Sequence, residues 1–279
     1  MDRWSGDVEP LERGAFGPRS LLTVLPAYVA EAYQQNIIEA DLGRLTVGLC
    51  CFGDAVVLFD DLMDYESSAY LRSRHIVRAS ALYLCACAVF AELNLGIEFW
   101  QRLRQTFHEY SSSLRRETDA TASDAAWHYS FPTDCIAIAK GKNGLVRLVN
   151  AALASYFKRE ADPVLDAALI ASYFAYQMLD DLTDWREDLR GRKISTLLRL
   201  RFADGVPENV QASDLGIELF RDGHADEALG FALQALTDAQ HALPLHAGNL
   251  KRQLNEQANV VVAARTEIAL ALRSKVATS

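Results

Sequence analysis

The chain has 279 residues, half of them hydrophobic and 23% charged, with a formal net charge of −9. That length and balance support a large apolar core and exclude wholesale disorder. The acidic excess argues against a nucleic-acid partner, so an anionic substrate would have to be met by bound cations or by a local basic cluster. Residues 1–17 carry Pro10, Gly14 and Gly17 without sustained periodicity and read as a flexible leader to a single domain over 18–279. They show no basic-then-apolar signal pattern, and the longest unbroken apolar run, 81–91, is far short of a bilayer span. A soluble, cytoplasmic protein with no stable membrane insertion is expected.

From Ser20 the pattern LLTVLPAYVAEAYQQNII has helical spacing, with Pro26 tolerable near a start or at a kink, and the helix should end before Asp41. The next stretch, LGRLTVGLCCFGDAVVLFDDLMDY, is apolar on most sides and then turns acidic, which predicts a central buried helix. Residues 69–95 predict another mostly buried helix closed near Gly96. The segment IEFWQRLRQTFHEYSSSLRRE predicts an amphipathic one ending on basic residues. A polar connector or short helix follows over 118–132, and residues 134–158 resume helical spacing across Gly141 and Gly144, a predicted kink. Pro163 opens the helix that carries VLDAALIASYFAYQMLDDLTDWREDL. A short piece, STLLRLRF, then precedes two helices near 223–243 and 246–273. With no strand-like alternation anywhere, the expectation is an all-α bundle of about ten helices around a central apolar pocket. The five cysteines (Cys50, Cys51, Cys85, Cys87, Cys135) lack paired zinc spacing and read as reduced, mostly core thiols. The six histidines form no i, i+4 pair and are assigned no metal.

Two acidic clusters share one pattern, D-D-x-x-D: Asp60, Asp61 and Asp64, then Asp180, Asp181 and Asp184. On a helix the first and last aspartates lie on one face, with the middle one turned away by about 100°. Both clusters are expected to end long apolar helices, where unpaired carboxylates are costly. If the helices face each other, six carboxylates converge, and such a wall calls for cations. Ligands that are all carboxylate oxygens suit Mg2+.

The stretch Tyr176-Gln177-Met-Leu-Asp180-Asp181-Leu-Thr-Asp184 resembles the second aspartate-rich motif of the trans-isoprenyl diphosphate synthases, in which an aromatic-Gln pair precedes D-D-x-x-D. Asp60, Asp61 and Asp64 match that family's first motif. Lys142, in AKGKNGL, matches a family lysine that holds diphosphate. The likeness runs over roughly residues 40–195. It implies the isoprenoid synthase fold, three Mg2+ ions bridging the acidic walls to a prenyl diphosphate substrate, Gln177 bracing the second wall, and a homodimer. Metal ions and Lys or Arg stabilise the departing diphosphate, and an aromatic, apolar cavity shields the carbocation from water.

Departures from that family steer the expected reaction. Chain-elongating members carry G-G-K-R before the first motif and R-R-G after it, where they bind isopentenyl diphosphate. Here those places hold GlyProArg at 17–19 and YESSAYLRSRH. The expectation is therefore a class I terpene synthase that ionises one linear prenyl diphosphate, then cyclises it and ends by deprotonation or water quench. The alternative is a prenyltransferase, by 1'-4 elongation or head-to-head condensation, and a remote one is a non-catalytic subunit of a prenyl synthase. The tail WREDLRGR also resembles E-D-x-x-R-G-R of squalene and phytoene synthases, which implies diphosphate ligands at Arg192 and Lys193 and a supporting role for Asp188. Phe52, Ala55 and Val56 precede Asp60 by one to two turns, Tyr173 and Tyr176 share a face with Asp180, and Phe99 lies on a neighbouring helix. These six are candidate pocket residues, and small Ala55 and Val56 favour a C20 or longer chain over C15.

Overall fold

The computed structural model describes residues 18–64, 69–122, 133–191, 195–202 and 210–276. The leader 1–17 lies outside the described residues. Those described are helical and contain no strand: α1 (Pro18–Ala32), α2 (Glu39–Asp64), α3 (Ala69–Glu92), α4 (Ile97–Ala122), α5 (Thr133–Lys142), α6 (Arg147–Tyr156), α7 (Pro163–Gly191), α8 (Thr196–Arg201), α9 (Ala212–Arg221), α10 (His224–Ala242) and α11 (Gly248–Val276). The all-α expectation holds.

The core forms where apolar faces at helical spacing meet. On α2, Leu45, Leu49, Phe52 and Ala55 recur every three or four residues and are all at most 1% exposed. On α7, Leu165, Ala168, Leu169 and Ser172 do the same. Burying a leucine contributes about 1.5–3 kcal/mol, so these rows fix the rotation of both helices and thereby aim their acidic ends. Close approach tightens α2: a Cβ on Gly48 would stand 2.6 Å from Phe90 of α3, and one on Gly53 2.6 Å from Leu22 of α1. A buried polar relay ties the far end of the bundle together. Tyr33 Oη donates to Asn150 Oδ1 at 2.6 Å, Asn150 Nδ2 donates to Asp166 Oδ1 at 2.8 Å, and Arg102 donates to Asp166 Oδ2 at 2.7 Å. A smaller core of Trp185, Leu197, Leu198, Phe202, Leu215 and Leu219 lies where α8 and α9 meet the last turns of α7.

Several local expectations are corrected. α3 is mostly exposed rather than buried: Ile76, Val77 and Leu84 are 51%, 69% and 66% exposed, because this helix packs mainly on α2, through Ala79, Ala86 and Phe90. Apolarity on all sides could not by itself tell a central helix from one at the edge. By length and composition, Glu39–Asp60 of α2 and Arg72–Glu92 of α3 would each suffice to cross a membrane, and only 39% and 17% of the two stretches is buried inside the protein. α4 runs past its basic residues to Ala122, and α7 continues seven residues beyond Asp184, so the second cluster is not at a helix end. The left-handed residue after α3 is Asn94, at φ 50°, rather than Gly96, whose N–H donates to Ser155 Oγ at 2.7 Å. Of the described cysteines, Cys50 and Cys51 are half-buried against the core, Cys87 is half-buried and Cys85 is exposed, so they lie at the edge of the core rather than within it; the side chain of Cys135 lies outside the described residues.

Candidate active site

The second acidic cluster is built into the bundle by its middle residue. Asp181 is 4% exposed. Its Oδ1 accepts from Gln177 Nε2 at 2.9 Å, one turn back on α7, and its Oδ2 accepts from the backbone N–H of Thr196 at 2.8 Å. Thr196 opens α8 behind the N-cap Ser195, so the carboxylate also meets the positive end of that helix. Burial pushes the Asp181 carboxyl up to about 6, opposed by these two hydrogen bonds; the Asp180 charge adds to the rise and the Lys142 ammonium opposes it. Asp181 is thus placed as the hydrogen-bonded brace of the motif, with Gln177 as its partner. Asp180 is exposed and Asp184 half-buried, with Thr183 Oγ1 3.0 Å from Asp184 Oδ1 and donating to the Asp180 carbonyl. The two outer aspartates keep contact with solvent while the middle one is sealed.

The first cluster closes α2. Asp60 is about one-third exposed, and its Oδ1 lies 4.0 Å from Lys142 Nζ. The side chains of Asp61 and Asp64 lie outside the described residues, as do Arg192 and Lys193. Asp188 is half-buried and Arg190 exposed on the last turns of α7. Lys142, at the end of α5, stands 4.0 Å from Asp60 Oδ1 without a hydrogen bond, and its charge is also felt, more weakly than the hydrogen bonds, at Asp181.

The placement of Lys142 involves residues that the sequence reading did not single out. The predicted break at Gly141 and Gly144 is a 3-10 turn, Asn143–Val146, between α5 and α6. α5 lies so close to α4 that a Cβ on Gly141 would stand 1.9 Å from Ser113 Oγ. Asn143 Nδ2 donates to the Ala139 carbonyl at 2.9 Å, and Arg147 pairs with Glu109 of α4, which also accepts from Gln105. These contacts hold the turn from both sides. Their only sequence signal was the glycine pair, because partners on α4 are remote in the chain.

The candidate pocket residues divide. Phe52 and Phe99 are each 1% exposed; Phe99 stacks edge-on with Phe90 and Trp100, and Phe52 tilts against Tyr83. Both pack in the core cluster. Ala55 is buried and Val56 half-buried, on the turns leading to Asp60. Tyr173 and Tyr176 meet edge to face at 6.1 Å on α7. Tyr173 is buried, which pushes its phenol far up, and the Tyr176 phenol is also raised by burial, with the carboxamide of Gln257 on α11 opposing the rise. The Ser172 hydroxyl is buried without a hydrogen bond from protein, and the Tyr176 hydroxyl and Gln257 carboxamide are buried against each other without good hydrogen-bond geometry. Each such group costs about 1–3 kcal/mol if left unsatisfied.

Among the described residues no three Asp, Glu, His or Cys side chains gather as a metal cluster. The donor chemistry nonetheless fits a hard cation. Asp60, Asp180 and Asp184 offer carboxylate oxygens only, with no thiol or imidazole among them, which suits Mg2+ and not zinc.

No family model matches the chain, and no curated protein does. Solved structures do. A decaprenyl diphosphate synthase from Rhodobacter capsulatus superposes with a TM-score of 0.70 at 19% identity, covering 89% of this chain and 85% of that one. A geranylgeranyl pyrophosphate synthetase from the archaeon Geoglobus acetivorans gives 0.71 at 16% identity, covering 87% of each. The fold is that of the trans-isoprenyl diphosphate synthases. A third structure with this isoprenoid synthase fold, a polyprenyl synthase from Caulobacter crescentus complexed with calcium and isoprenyl diphosphate, gives 0.66 at 17% identity over 88% and 84% of the chains.

Proposed function

We propose that the protein is a Mg2+-dependent enzyme that ionises an allylic prenyl diphosphate and transfers the allyl group to a second prenyl diphosphate. The observation that carries this reading is Lys142, 4.0 Å from Asp60 and electrostatically coupled to Asp181, joining the two acidic motifs on a scaffold shared with solved prenyl diphosphate synthases. Asp60, Asp180 and Asp184, with Asp61 and Asp64, would hold the metal, which when bound neutralises the leaving diphosphate. Lys142 adds a cation that needs no metal, Asp181 and Gln177 keep the α7 wall from turning, and the apolar rows of α2 and α7 exclude water.

The activities named for the neighbours favour transfer over the cyclisation expected from sequence. Cyclisation remains the second reading, on one observation: the basic segments that elongating members use for isopentenyl diphosphate are missing before Asp60 and after Asp64. Purified protein with Mg2+ and geranylgeranyl diphosphate, with and without isopentenyl diphosphate, separates the two. Transfer gives a longer prenyl diphosphate only when isopentenyl diphosphate is present. A cyclic hydrocarbon or cyclic alcohol from geranylgeranyl diphosphate alone would refute it in favour of the second reading.

The same reading includes a homodimer. Its support is the exposed apolar surface of Ile76, Val77 and Leu84 on α3 with Val47 and Val57 on α2. Sedimentation should give twice the chain mass for the native protein and a monomer for Leu84→Glu.

A further inference from the structure

Away from the acidic site, α2 and α3 are held side by side in one register. A Cβ on Gly48 would stand 2.6 Å from Phe90, and Phe52 tilts against Tyr83 with ring centroids 5.7 Å apart. The two helices are therefore antiparallel, and Cys51 and Cys85 fall between those contacts. Cys51 Sγ donates to Cys85 Sγ at 4.0 Å. A disulfide holds its sulfurs about 2.05 Å apart, so bonding asks the pair to close by about 2 Å, within reach of rotation about Cα–Cβ. The neighbouring thiols are turned elsewhere. Cys87 lies about 200° round α3 from Cys85 and hydrogen-bonds with Tyr83, and Cys50 packs against the core. Among the described residues no third Cys, His, Asp or Glu joins the pair as a metal site.

The two thiols differ in access. Cys85 is exposed and Cys51 half-buried. Cys85 is also turned about 100° round α3 from the exposed Leu84, reaching back toward α2. Burial, with the hydrogen bond to Cys85, pushes the Cys51 thiol up to about 11. Thiolates rather than thiols attack disulfides, so Cys85 meets a reagent first and Cys51 resolves the product.

The geometry points to a reversible intrachain disulfide between Cys51 and Cys85, formed by exchange with a small-molecule disulfide. It does not depend on the proposed reaction. In the first step Cys85 Sγ bonds to one sulfur of the small disulfide, and the other sulfur leaves as a thiol carrying the Cys85 proton. Cys51 Sγ then bonds to Cys85 Sγ, and the remaining small sulfur leaves as a thiol with the Cys51 proton. Two cysteines are oxidised and one small disulfide is reduced to two thiols. The new bond closes a loop that contains Asp60, Asp61 and Asp64, and so ties α2 to α3 on either side of the first acidic cluster in the chain. Closing such a loop restricts the unfolded chain and stabilises the folded one.

The test is incubation of the reduced full-length protein with glutathione disulfide at mildly alkaline pH, followed by alkylation, intact mass, peptide mapping and a non-reducing gel. The expected product has lost two hydrogens, retains no glutathione, runs as a single chain and returns to the starting mass with dithiothreitol. Its melting temperature should stand about 5 °C above that of the reduced protein. Cys85→Ser should form no crosslink, Cys51→Ser should trap one glutathione on Cys85, and Cys50→Ser and Cys87→Ser should crosslink as the native protein does. A native protein that keeps all its thiols, holds glutathione as a mixed disulfide, pairs other cysteines or runs as a linked dimer overturns the proposal. So does a crosslink that survives Cys51→Ser, and so does an oxidised protein no more stable than the reduced one, since a bond that forces the helices out of register adds strain.

Discussion

On α7 the middle aspartate of the motif is sealed in protein, with one oxygen on Gln177 and the other on the first N–H of α8, and the outer two remain in contact with solvent. On α2, Asp60 is steadied from outside, by an ammonium that arrives from α5, a helix reached only after α3 and α4. The same five-residue pattern is therefore self-braced in one place and braced by a distant element in the other. Bracing by neighbours one turn away and at the start of the next helix survives small shifts of the bundle. Bracing by Lys142 depends on the 3-10 turn and on the contact between Gly141 and Ser113.

The largest effect that can test this contrast is loss of either wall. Asp60→Ala and Asp180→Ala should each lower the rate of diphosphate release by about 10³-fold, measured with geranylgeranyl diphosphate and saturating Mg2+. Full activity in both would leave the remote reading, a non-catalytic subunit, as the one to pursue.

Next in size, Asp181→Ala strands the Gln177 amide and the Thr196 N–H and should cost about 1–3 kcal/mol of stability, read by urea unfolding in chelator. Asp60→Ala, whose side chain is one-third exposed and whose Oδ1 accepts no hydrogen bond that its loss would strand, should cost much less under the same conditions. Equal losses would break the distinction between a self-braced and an externally braced wall.

Smallest is Lys142→Gln, which leaves both walls in place and removes one cation. Diphosphate release should fall about 10–100-fold, with the loss shrinking as Mg2+ is raised if the ammonium and the metal share the neutralising role. An effect confined to folding, with unchanged kinetics in the folded fraction, would show that Lys142 only steadies Asp60.

Much of the candidate site is legible in the sequence because its signal is local. D-D-x-x-D on an apolar helix, an aromatic-Gln pair two residues before it, and a lysine beside two glycines can each be read within a window of about ten residues. The all-α class followed from uninterrupted helical spacing. What escaped was whatever depends on the other side of a contact. The apolar residues of α3 read as buried, yet α3 packs mainly on α2. The edge-on contact of Phe99 with Phe90 likewise joins two helices and carries no local signal. Gln257, in the C-terminal helix, meets Tyr176 of α7 only through tertiary contact.

By itself the sequence determined which residues are acidic, which faces are apolar and that every described element is helical, since side-chain spacing and backbone propensity act over a few residues. Only the tertiary structure decided that Lys142 stands near both motifs, that Asp181 is a brace, and that Gln257 meets Tyr176. Those outcomes depend on distances between helices far apart in the chain, and these are set by how large and small side chains, such as Gly48 under Phe90 or Gly141 against Ser113, fit together.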